Sequence, residues 1–436
     1  MATLAIFFVF FSAIVLVFFS TDVQGKGKQG PFAGGHGNVK DKLHVPTHEA
    51  DATYMARFAA ETGADRALNW SGDPCYTNWQ GIDCNGDGRV VMIIAGARGL
   101  SGWAPSTGDD GALSWLVELD LSNNSLSGPL PELVLPRLEW LFLDGNKFNS
   151  MPPQFFANMS MVQVIVISNS PWLRDWSLPN LSSFTALWKF HAQSAGISGQ
   201  LLGVLGEGMV LSDLDLANND LTGSVPDSFA CKAMAYLDLS NNSLNGPISF
   251  IEKLPNVQVA QLDNNKFSGT LPNFDEYSLP QVFSVAHNRL TGLVPASLPK
   301  KLSSGSVYLS GNLLQGPVPD NGGRGRVIGI NLSRMFLNGS IHPAFANLRS
   351  LETIMLSGNN ISGNIPPVLT QLPALRVLDV SDNVLEGSVP KFGRGVEVWA
   401  EGNPGLNVSS ISPPIMSEQP HFTVFFVAVA VLLLLV

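Results

Sequence analysis

Apolar residues recur along most of the chain at a fixed long period. The segment from Leu119 to Pro131 places Leu119 and Leu121 two positions apart and follows them with Asn124, Leu126 and Gly128. From position 124 to position 383 the asparagine or its substitute recurs in eleven steps over 259 residues, an average of about 23.5 residues. Because each unit holds one short apolar alternation, this period predicts a solenoid in which every repeat adds one strand.

Each position of the repeat has a physical role. Alternate side chains of a strand face opposite sides, so the two leucines point into the core and the residue between them points to solvent. The asparagine that follows turns inward, where its amide can pair with the bend and with the neighbouring repeat. It is replaced at Ser170, Ala195 and Met335, so we expect the ladder of stacked amides to be interrupted there.

The pattern resembles the plant-type leucine-rich repeat, LxxLxLxxNxLxGxIP. We therefore expect an α/β-type repeat solenoid: a leucine-rich-repeat superhelix with a parallel concave sheet, an irregular or 3-10 convex side and a disulfide-capped N-terminus. The repeats, about 13 of them, are expected over residues 89–395, with a shortened junction near 320–326.

Both ends of a solenoid need caps, because an end repeat would otherwise expose its apolar edge. For the N-terminal cap (49–88) we expect an amphipathic helix from Ala50 to Leu68 and a small loop closed by a Cys75–Cys84 disulfide. Such a bridge contributes about 2–3 kcal/mol. Cys231, the third cysteine, is expected as a buried apolar residue. Residues 396–407 form the expected C-terminal cap, with Trp399 as its lid.

The two ends of the sequence are strongly apolar. Residues 1–25 read as a signal peptide and residues 26–48 as a flexible arm rich in Gly and Lys. After a polar spacer (408–421), residues 422–436 are compatible with a glycosylphosphatidylinositol (GPI) signal, with Ser409 or Ser410 as the lipid-carrying residue. A short membrane anchor is the alternative for this tail, and a truncated gene is a third possibility.

Composition and motifs exclude several function classes. Charged residues make up 14% of the chain, the net charge is −10, and no cluster of Lys and Arg is present, so nucleic acid is not expected as a partner. The sequence has neither HExxH nor GxSxG and no Cys/His cluster, so we expect no metal, no cofactor and no enzyme activity. Kinase signature motifs are also missing from this sequence.

Beyond the generic repeat, the chain is similar to the ectodomain of plant transmembrane-kinase-type leucine-rich-repeat receptors. The resemblance rests on WSGDPC at Trp70–Cys75, on MPPQFFANMSMVQVIVISNSPW at Met151–Trp172, on NLLQGPVP at Asn312–Pro319 and on the block from Leu337 to Phe392. The inter-repeat island of that family is reduced here to residues 320–326. The resemblance implies a link to auxin perception and apoplastic auxin-binding proteins, which the loss of the island puts in doubt.

The residue between the two core positions forms a column on the expected concave face, the usual binding surface of solenoids. For aspartates in this column, a role in solubility is the simpler interpretation. Exposed aromatics with nearby carboxylates favour the centre as a contact surface. The candidate ligand-binding residues are Asp120, Phe142, Trp188, His191, Asp215, Asp238, Gln261 and Tyr308.

Trp172 and Trp176 occupy an irregular segment beside the altered ladder position at Ser170. They could form a surface aromatic patch, but we favour packing that replaces the missing asparagine.

Nine Asn-x-Ser motifs predict N-glycosylation in a secreted protein. Asn123 and Asn241 are expected to be hindered by the ladder, and Asn158, Asn180 and Asn360 to be freer. The full set is Asn69, Asn123, Asn158, Asn180, Asn241, Asn331, Asn338, Asn360 and Asn407.

These features favour a kinase-less receptor-like protein or co-receptor at the extracellular face of the plant plasma membrane. It would bind a protein, peptide or small molecule and act through a partner receptor kinase, with the membrane reached through the tail or a lipid. One alternative is a cell-wall inhibitor or scaffold resembling polygalacturonase-inhibiting proteins, located in the apoplast. The other is a decoy duplicate of a receptor kinase.

Overall fold

The computed structural model describes residues 45–408 except 109, 175, 202–207, 275–278, 296–297, 299–303 and 318–325. Helix α1 spans Glu49–Thr62 and helix α2 spans Ala64–Ala67. One continuous helix was expected, but Gly63 adopts a left-handed φ of 70° and ends α1 there. The face of α1 that carries Met55, Phe58 and Ala59 is buried, as its apolar spacing predicts.

Fifteen strands of the described chain form one main sheet, in which each strand pairs with that of the next repeat. The first pairing is antiparallel and the others are parallel. Consecutive repeats run in the same direction, so the predicted parallel sheet is confirmed. The strands of the main sheet are β1 (Ile82–Cys84), β2 (Val90–Ile94), β4 (Glu118–Asp120), β6 (Trp140–Phe142), β8 (Val164–Val166), β9 (Lys189–His191), β11 (Asp213–Asp215), β13 (Tyr236–Asp238), β15 (Val259–Gln261), β17 (Val282–Ser284), β19 (Ser304–Tyr308), β21 (Arg326–Asn331), β23 (Thr353–Met355), β25 (Val377–Asp379) and β27 (Glu397–Trp399).

The segment after each ladder position also forms strands, which the expectation of an irregular or 3-10 return did not include. These strands pair in parallel from repeat to repeat and build one sheet of seven and two sheets of three within the described ranges. The seven are β10 (Ser198–Gln200), β12 (Asp220–Ser224), β14 (Ser243–Gly246), β16 (Lys266–Thr270), β18 (Arg289–Leu293), β20 (Leu313–Pro317) and β22 (Phe336–Asn338). The threes are β3 (Ser101–Gly102), β5 (Ser125–Pro129) and β7 (Lys147–Ser150), and β24 (Ser362–Gly363), β26 (Val384–Ser388) and β28 (Gly405–Asn407).

Short 3-10 helices do occur in the return segments, as expected. They lie at Leu181–Ser183, Ser249–Lys253, Pro343–Asn347 and Pro367–Gln371. The core lies between the main sheet and the return segments and consists of the inward leucines together with phenylalanines such as Phe190 and Phe267, both fully buried.

The asparagine ladder is present. The side-chain nitrogen of Asn265 donates to the carbonyls of Leu262 at 3.3 Å and of Leu239, in the previous repeat, at 2.9 Å. Its oxygen accepts from the Leu244 N–H at 2.9 Å. Because one amide satisfies backbone groups of two repeats, each ladder residue joins neighbours that a single repeat could not hold.

The residue before each ladder position adopts the left-handed conformation. Positive φ occurs at asparagine in Asn123, Asn218 and Asn264, and at glycine in Gly145 and Gly311. Asparagine and glycine tolerate this region best, which explains why Asn-Asn recurs in the repeat.

The N-terminal cap is held by buried polar contacts as well as by the Cys75–Cys84 disulfide, which is present. Asp51 on α1 is fully buried, and each of its carboxylate oxygens accepts from the Arg89 guanidinium at 2.9 Å. Trp70 and Trp79 stack with ring centroids 5.1 Å apart and are almost completely buried. The helix, the loop and the first strands therefore form one closed end.

Residues 45–48, expected as the end of the flexible arm, are part of this cap. Thr47 is 8% exposed, its N–H donates to Asp73, and its hydroxyl accepts from the Cys75 N–H at 2.9 Å. The order of this segment differs from the prediction because Thr47 can satisfy the polar groups of the disulfide loop.

Trp172 and Trp176, the two tryptophans assigned to packing in the irregular segment after Ser170, differ in burial. Trp176 is 6% exposed, and its indole N–H donates to the Ala195 carbonyl at 2.7 Å, so packing is confirmed for this residue. Trp172 is 58% exposed, so packing is wrong for it. Cys231 is buried as expected, with its thiol donating to the Leu211 carbonyl at 3.2 Å.

Several predictions fall outside the described residues: the signal peptide, the arm up to residue 44, the 320–325 part of the junction, both lipid-anchor candidates and the apolar tail. Within residues 45–408, apart from the ranges excluded above, no helix has the length and apolar character of a membrane span.

Candidate functional site

The solvent-facing side of the main sheet carries two adjacent columns of side chains, because the first and third residues of each strand triplet point the same way. The predicted column is the third position, and it is continuous through strand register: His191, Asp215, Asp238 and Gln261 lie side by side on β9, β11, β13 and β15. Asp120 and Phe142 pair on β4 and β6, and Tyr308 lies one strand beyond Ser284.

The first position of the triplet was not included in the prediction. It places Lys189, Asp213 and Tyr236 beside the predicted residues on β9, β11 and β13. The alternation of side chains along a strand could have predicted these residues, since a residue two positions before an outward-facing residue also faces outward. The whole first column is Met92, Glu118, Trp140, Val164, Lys189, Asp213, Tyr236, Val259, Val282, Ser306, Gly329, Thr353, Val377 and Glu397.

Trp188 lies just outside both columns. It precedes β9 and is 39% exposed, and its carbonyl accepts from the Asp213 N–H at 3.1 Å. This tryptophan therefore borders the sheet surface at the start of the strands instead of lying among the column residues.

The aspartates of the third column organise the chain that follows them. An oxygen of Asp120 accepts from the Ser122 N–H at 2.9 Å, one of Asp215 from the Ala217 N–H at 3.0 Å, and one of Asp238 from the Ser240 N–H at 2.8 Å. Each carboxylate closes a turn two residues onward. The simple solubility role is therefore incomplete, because these groups have a structural partner at the strand end.

Charged groups meet at the centre of the surface. Asp213 pairs with the Lys189 ammonium at 3.3 Å and with His191 Nε2 at 2.7 Å. Gln261 donates to the Tyr236 hydroxyl at 3.3 Å, and the Tyr236 ring lies 6.3 Å from that of His191. These contacts link strands β9 to β15 through side chains.

Three further carboxylates continue from this centre, and we call Asp215, Asp238 and Asp263 the acidic row. Asp263 follows β15 and accepts from the Ser284 hydroxyl and, at 2.7 Å, from the Ala286 N–H. Ion pairs found among the described residues reach Asp213, but none involves a member of the acidic row.

Burial and mutual repulsion control the pKa values here. Burial, reinforced by the charge of Asp238, raises the pKa of Asp215 well above its usual range. Burial also raises the pKa of Asp238 to about 6 and that of Asp263 to about 7, although both accept hydrogen bonds. For Asp213 burial acts in the same direction, but His191 and Lys189 outweigh it and lower its pKa. Asp213, which pairs directly with His191 and Lys189, is thus favoured as an anion, whereas the weaker effect of Lys189 on Asp215 does not offset burial and the charge of Asp238.

This arrangement is suited to binding positive or hydrogen-bond-donating groups. A cation placed over the acidic row would supply opposite charge beyond the small contribution that Lys189 makes at Asp215. Across the residues that the structure describes, His, Cys, Asp and Glu do not gather into a group of three or more that could hold a metal ion.

The predicted glycosylation residues differ in accessibility. Asn331 is 7% exposed, and its oxygen accepts from the Ser333 N–H and hydroxyl. Asn123 and Asn241, expected to be hindered, are exposed because the left-handed bend turns them outward. The other exposed acceptors are Asn69, Asn158, Asn180, Asn338, Asn360 and Asn407.

Comparison with known proteins identifies leucine-rich repeats in this chain and sequence similarity to plant receptor kinases. The Leucine Rich Repeat model matches residues 115–135, 137–159, 210–231 and 350–372. Receptor-like kinase TMK2 of Arabidopsis thaliana is 35% identical over 168 residues, which are 37% of this chain and 18% of that protein. Receptor protein kinase WSS1 of Oryza sativa subsp. japonica is 34% identical over 137 residues, 30% of this chain and 15% of that protein.

A solved structure agrees with these sequence matches. The plant peptide hormone receptor RGFR1 in complex with RGF2 superposes with a TM-score of 0.63 at 25% identity, covering 74% of this chain and 60% of that one. The chain thus spans less than a fifth of the length of the two matched kinases, and the matches lie in the repeats. The protein is a leucine-rich-repeat chain homologous to plant receptor-like kinases and folded like the ectodomain of a plant leucine-rich-repeat receptor.

Proposed function

We propose that this chain is an extracellular ligand-binding receptor-like protein or co-receptor that binds a basic peptide on the main sheet and acts through a partner receptor kinase. The observation that carries the proposal is the acidic row, whose three carboxylates lie on neighbouring repeats and form no ion pair among the described residues, although Lys189 lies near enough to Asp215 to act on its charge. Homology to plant receptor-like kinases and the likeness to a peptide hormone receptor support a peptide as the class of ligand.

The neighbouring side chains support recognition of more than charge. Tyr236 and Gln261 offer hydrogen-bonding groups beside the row, and Trp188 offers an exposed aromatic face at its edge. Aromatic residues anchor interfaces, and carboxylates select the partner that approaches. A peptide could place an Arg or Lys side chain over Asp215 and Asp238 and pack a neighbouring apolar side chain against Trp188. Such a peptide would contact the carboxylates and the aromatic ring at the same time.

The test is binding of a synthetic peptide library to the secreted, purified chain. Peptides with a fixed Arg or Lys are expected to be enriched over peptides with Glu at the same position. The Asp215→Asn/Asp238→Asn double variant should lose this preference, because the amides keep an acceptor for the turns but carry no charge. Asp220→Asn is the matched control, since Asp220 is exposed on β12 of the seven-stranded sheet.

Two outcomes contradict the proposal. One is the absence of any preference for basic peptides. The other is a preference that persists in the double variant or that Asp220→Asn also removes, because either result would place recognition elsewhere.

Membrane attachment is a separate part of the proposal and rests on the sequence pattern after residue 408. Phosphatidylinositol-specific phospholipase C should release the protein from plant cell membranes if Ser409 or Ser410 carries a lipid anchor. Retention after treatment would favour a short membrane anchor, and protein already free in the medium would contradict attachment.

A further inference from the structure

An exposed apolar cluster lies on the seven-stranded sheet, away from the columns of the main sheet. Leu293 is 62% exposed, Leu313 48% and Phe336 62%. We call these three residues the lateral apolar patch. Large side chains exposed singly are ordinary, but neighbouring ones indicate that something covers them.

Strand register brings the three side chains together. Leu293 on β18 and Phe336 on β22 both lie opposite Gln315 of β20, one on each side. Leu313 precedes Gln315 by two residues and so shares its face. A methyl group placed at Gly316 would lie 2.4 Å from Leu293 Cδ2, so the Leu293 side chain lies against the backbone of β20, the strand next to Phe336.

A glycosylation motif lies at the edge of this patch. Asn338, in the motif Asn338-Gly339-Ser340, is exposed and follows Phe336 by two residues on the same strand. Both side chains therefore leave the same face of β22. Among the acceptor asparagines of the described residues, Asn158 also has a phenylalanine two positions earlier, but that residue, Phe156, is only 9% exposed.

We propose that Asn338 carries an N-linked glycan whose first N-acetylglucosamine packs on Phe336 and covers the lateral apolar patch. This inference rests on the proposed extracellular function, because the modification requires passage through the secretory pathway. The sugar ring has an apolar face of C–H groups, which is complementary to the negative face of an aromatic ring. Because the sugar is attached only two residues from Phe336, its apolar face contacts the ring intramolecularly, at a high effective concentration.

The modification is a group transfer from a lipid-linked diphosphate oligosaccharide. A bond forms between Asn338 Nδ2 and C1 of the first sugar, and the bond from C1 to the phosphate oxygen breaks. The lipid diphosphate leaves and the amide nitrogen loses one proton, with no change in oxidation state.

One neighbouring acceptor must be removed for a clear test. The Asn360 N–H donates to the Leu337 carbonyl at 2.8 Å, so Asn360 lies beside Asn338 across the sheet. All variants are therefore made with Asn360→Gln, so that one acceptor borders the patch. Asn158→Gln is the matched control, because it shares the sequence spacing but has a buried phenylalanine.

The full chain is expressed in plant cells, and site occupancy is measured by mass spectrometry of intact glycopeptides. We expect a glycan at Asn338, loss of occupancy there but not at Asn158 in Phe336→Ala, and retention in Phe336→Trp. Asn338→Gln should increase binding of a hydrophobic dye and lower the melting temperature, whereas Asn158→Gln should do neither. High-mannose glycans trimmed to one sugar should still keep dye binding low.

An unmodified Asn338 in a chain glycosylated at Asn158 overturns the inference and leaves the patch as a surface for a protein partner. The inference also fails if Phe336→Ala leaves occupancy unchanged and Asn338→Gln behaves like Asn158→Gln. A chain with no glycan at any acceptor would contradict the extracellular function itself, and the glycan with it.

Discussion

At the scale of single residues, the contribution of a ladder side chain to stability depends on whether its polar atoms are hydrogen-bonded. Ladder asparagines make up to three donations and up to two acceptances with backbone groups of two repeats; Asn265 makes three and one, and Asn219 three and two. Ser170 occupies a ladder position with a hydroxyl that is fully buried and finds no hydrogen-bond partner within the described part of the chain. The ladder position is therefore strongly stabilising in some repeats and not in others.

Replacing Asn265 by alanine should lower the free energy of unfolding by about 2–4 kcal/mol. The variant leaves the Leu244 N–H buried without a partner, which costs about 1–3 kcal/mol. It also removes the donations of the amide, including one of the two that the Leu239 carbonyl accepts, at about 1 kcal/mol more. Chemical denaturation measures the change. Asn245→Ala, at an exposed position of β14, is the control and should stay within about 0.5 kcal/mol of the parent. An equal effect of both substitutions would contradict the ladder account.

Ser170→Ala should behave in the opposite way. Removing a buried hydroxyl without a partner eliminates a desolvation cost, so we expect stability to be unchanged or to rise by up to about 1 kcal/mol. The same denaturation experiment measures it. A loss of more than about 1 kcal/mol would indicate that the hydroxyl has a partner after all.

At the scale of elements, the sequence predicted the features that depend on the local spacing of apolar and polar residues. The inward leucines, the main-sheet strand of each repeat, the ladder and the disulfide loop all follow from local spacing, but the expectation of only one strand per repeat is wrong. The second set of sheets was missed because Leu126-Ser127-Gly128 carries too few apolar residues to indicate a strand. Those strands form only when stacked repeats supply pairing partners. Likewise, composition could not tell that Gly63 ends α1, since glycine is also tolerated within a helix.

The irregular segment that contains Trp172 and Trp176 also shows that local spacing does not predict contacts between repeats. Two tryptophans four residues apart carry the same propensity, but only Trp176 reaches the carbonyl of Ala195. That contact joins residues 19 apart in sequence and is set by the stacking of two repeats, which spacing alone does not encode.

Trp176→Phe should destabilise the chain by about 1–2 kcal/mol, because the phenyl ring leaves the buried Ala195 carbonyl without this donor. Thermal unfolding followed by circular dichroism measures the effect. Trp172→Phe is the matched control and should leave the melting temperature unchanged, since Trp172 is mostly exposed. A larger loss for Trp172→Phe would contradict the assignment of packing to Trp176.

At the scale of the whole molecule, the candidate site exists only because repeats stack. Asp215, Asp238 and Asp263 belong to three successive repeats, and no single repeat shows that their carboxylates lie close to one another. The sequence predicted Asp215 and Asp238 from the column, but not Asp263, which follows β15 and accepts a hydrogen bond from Ser284 of the next strand. Stability and the proposed binding are coupled here, because a row of buried carboxylates favours protons when no cation is present.

This coupling predicts a pH dependence of stability. Burial raises the pKa of Asp263 to about 7 in the folded chain, above its usual 3.8. Between these values the folded state binds more protons than the unfolded state, so this residue's contribution falls as pH rises, by at most about 1.4 kcal/mol per pH unit. His191, whose pKa burial lowers, acts in the opposite direction, with stability lost as pH falls below its usual 6.5.

The difference between the parent chain and Asp263→Asn isolates the aspartate from the histidine. The asparagine keeps an oxygen for Ser284 and Ala286 but cannot ionise, so its gain in melting temperature should be absent near pH 4 and largest above pH 7. Differential scanning calorimetry across this range measures it, with Asp220→Asn as the control that should show no pH-dependent difference. A basic peptide bound over the row should remove the gain, because the ligand then supplies the charge that the fold lacks. A constant difference at all pH values would show that Asp263 has the same pKa in the folded and the unfolded chain and would weaken the case for the acidic row as a cation site.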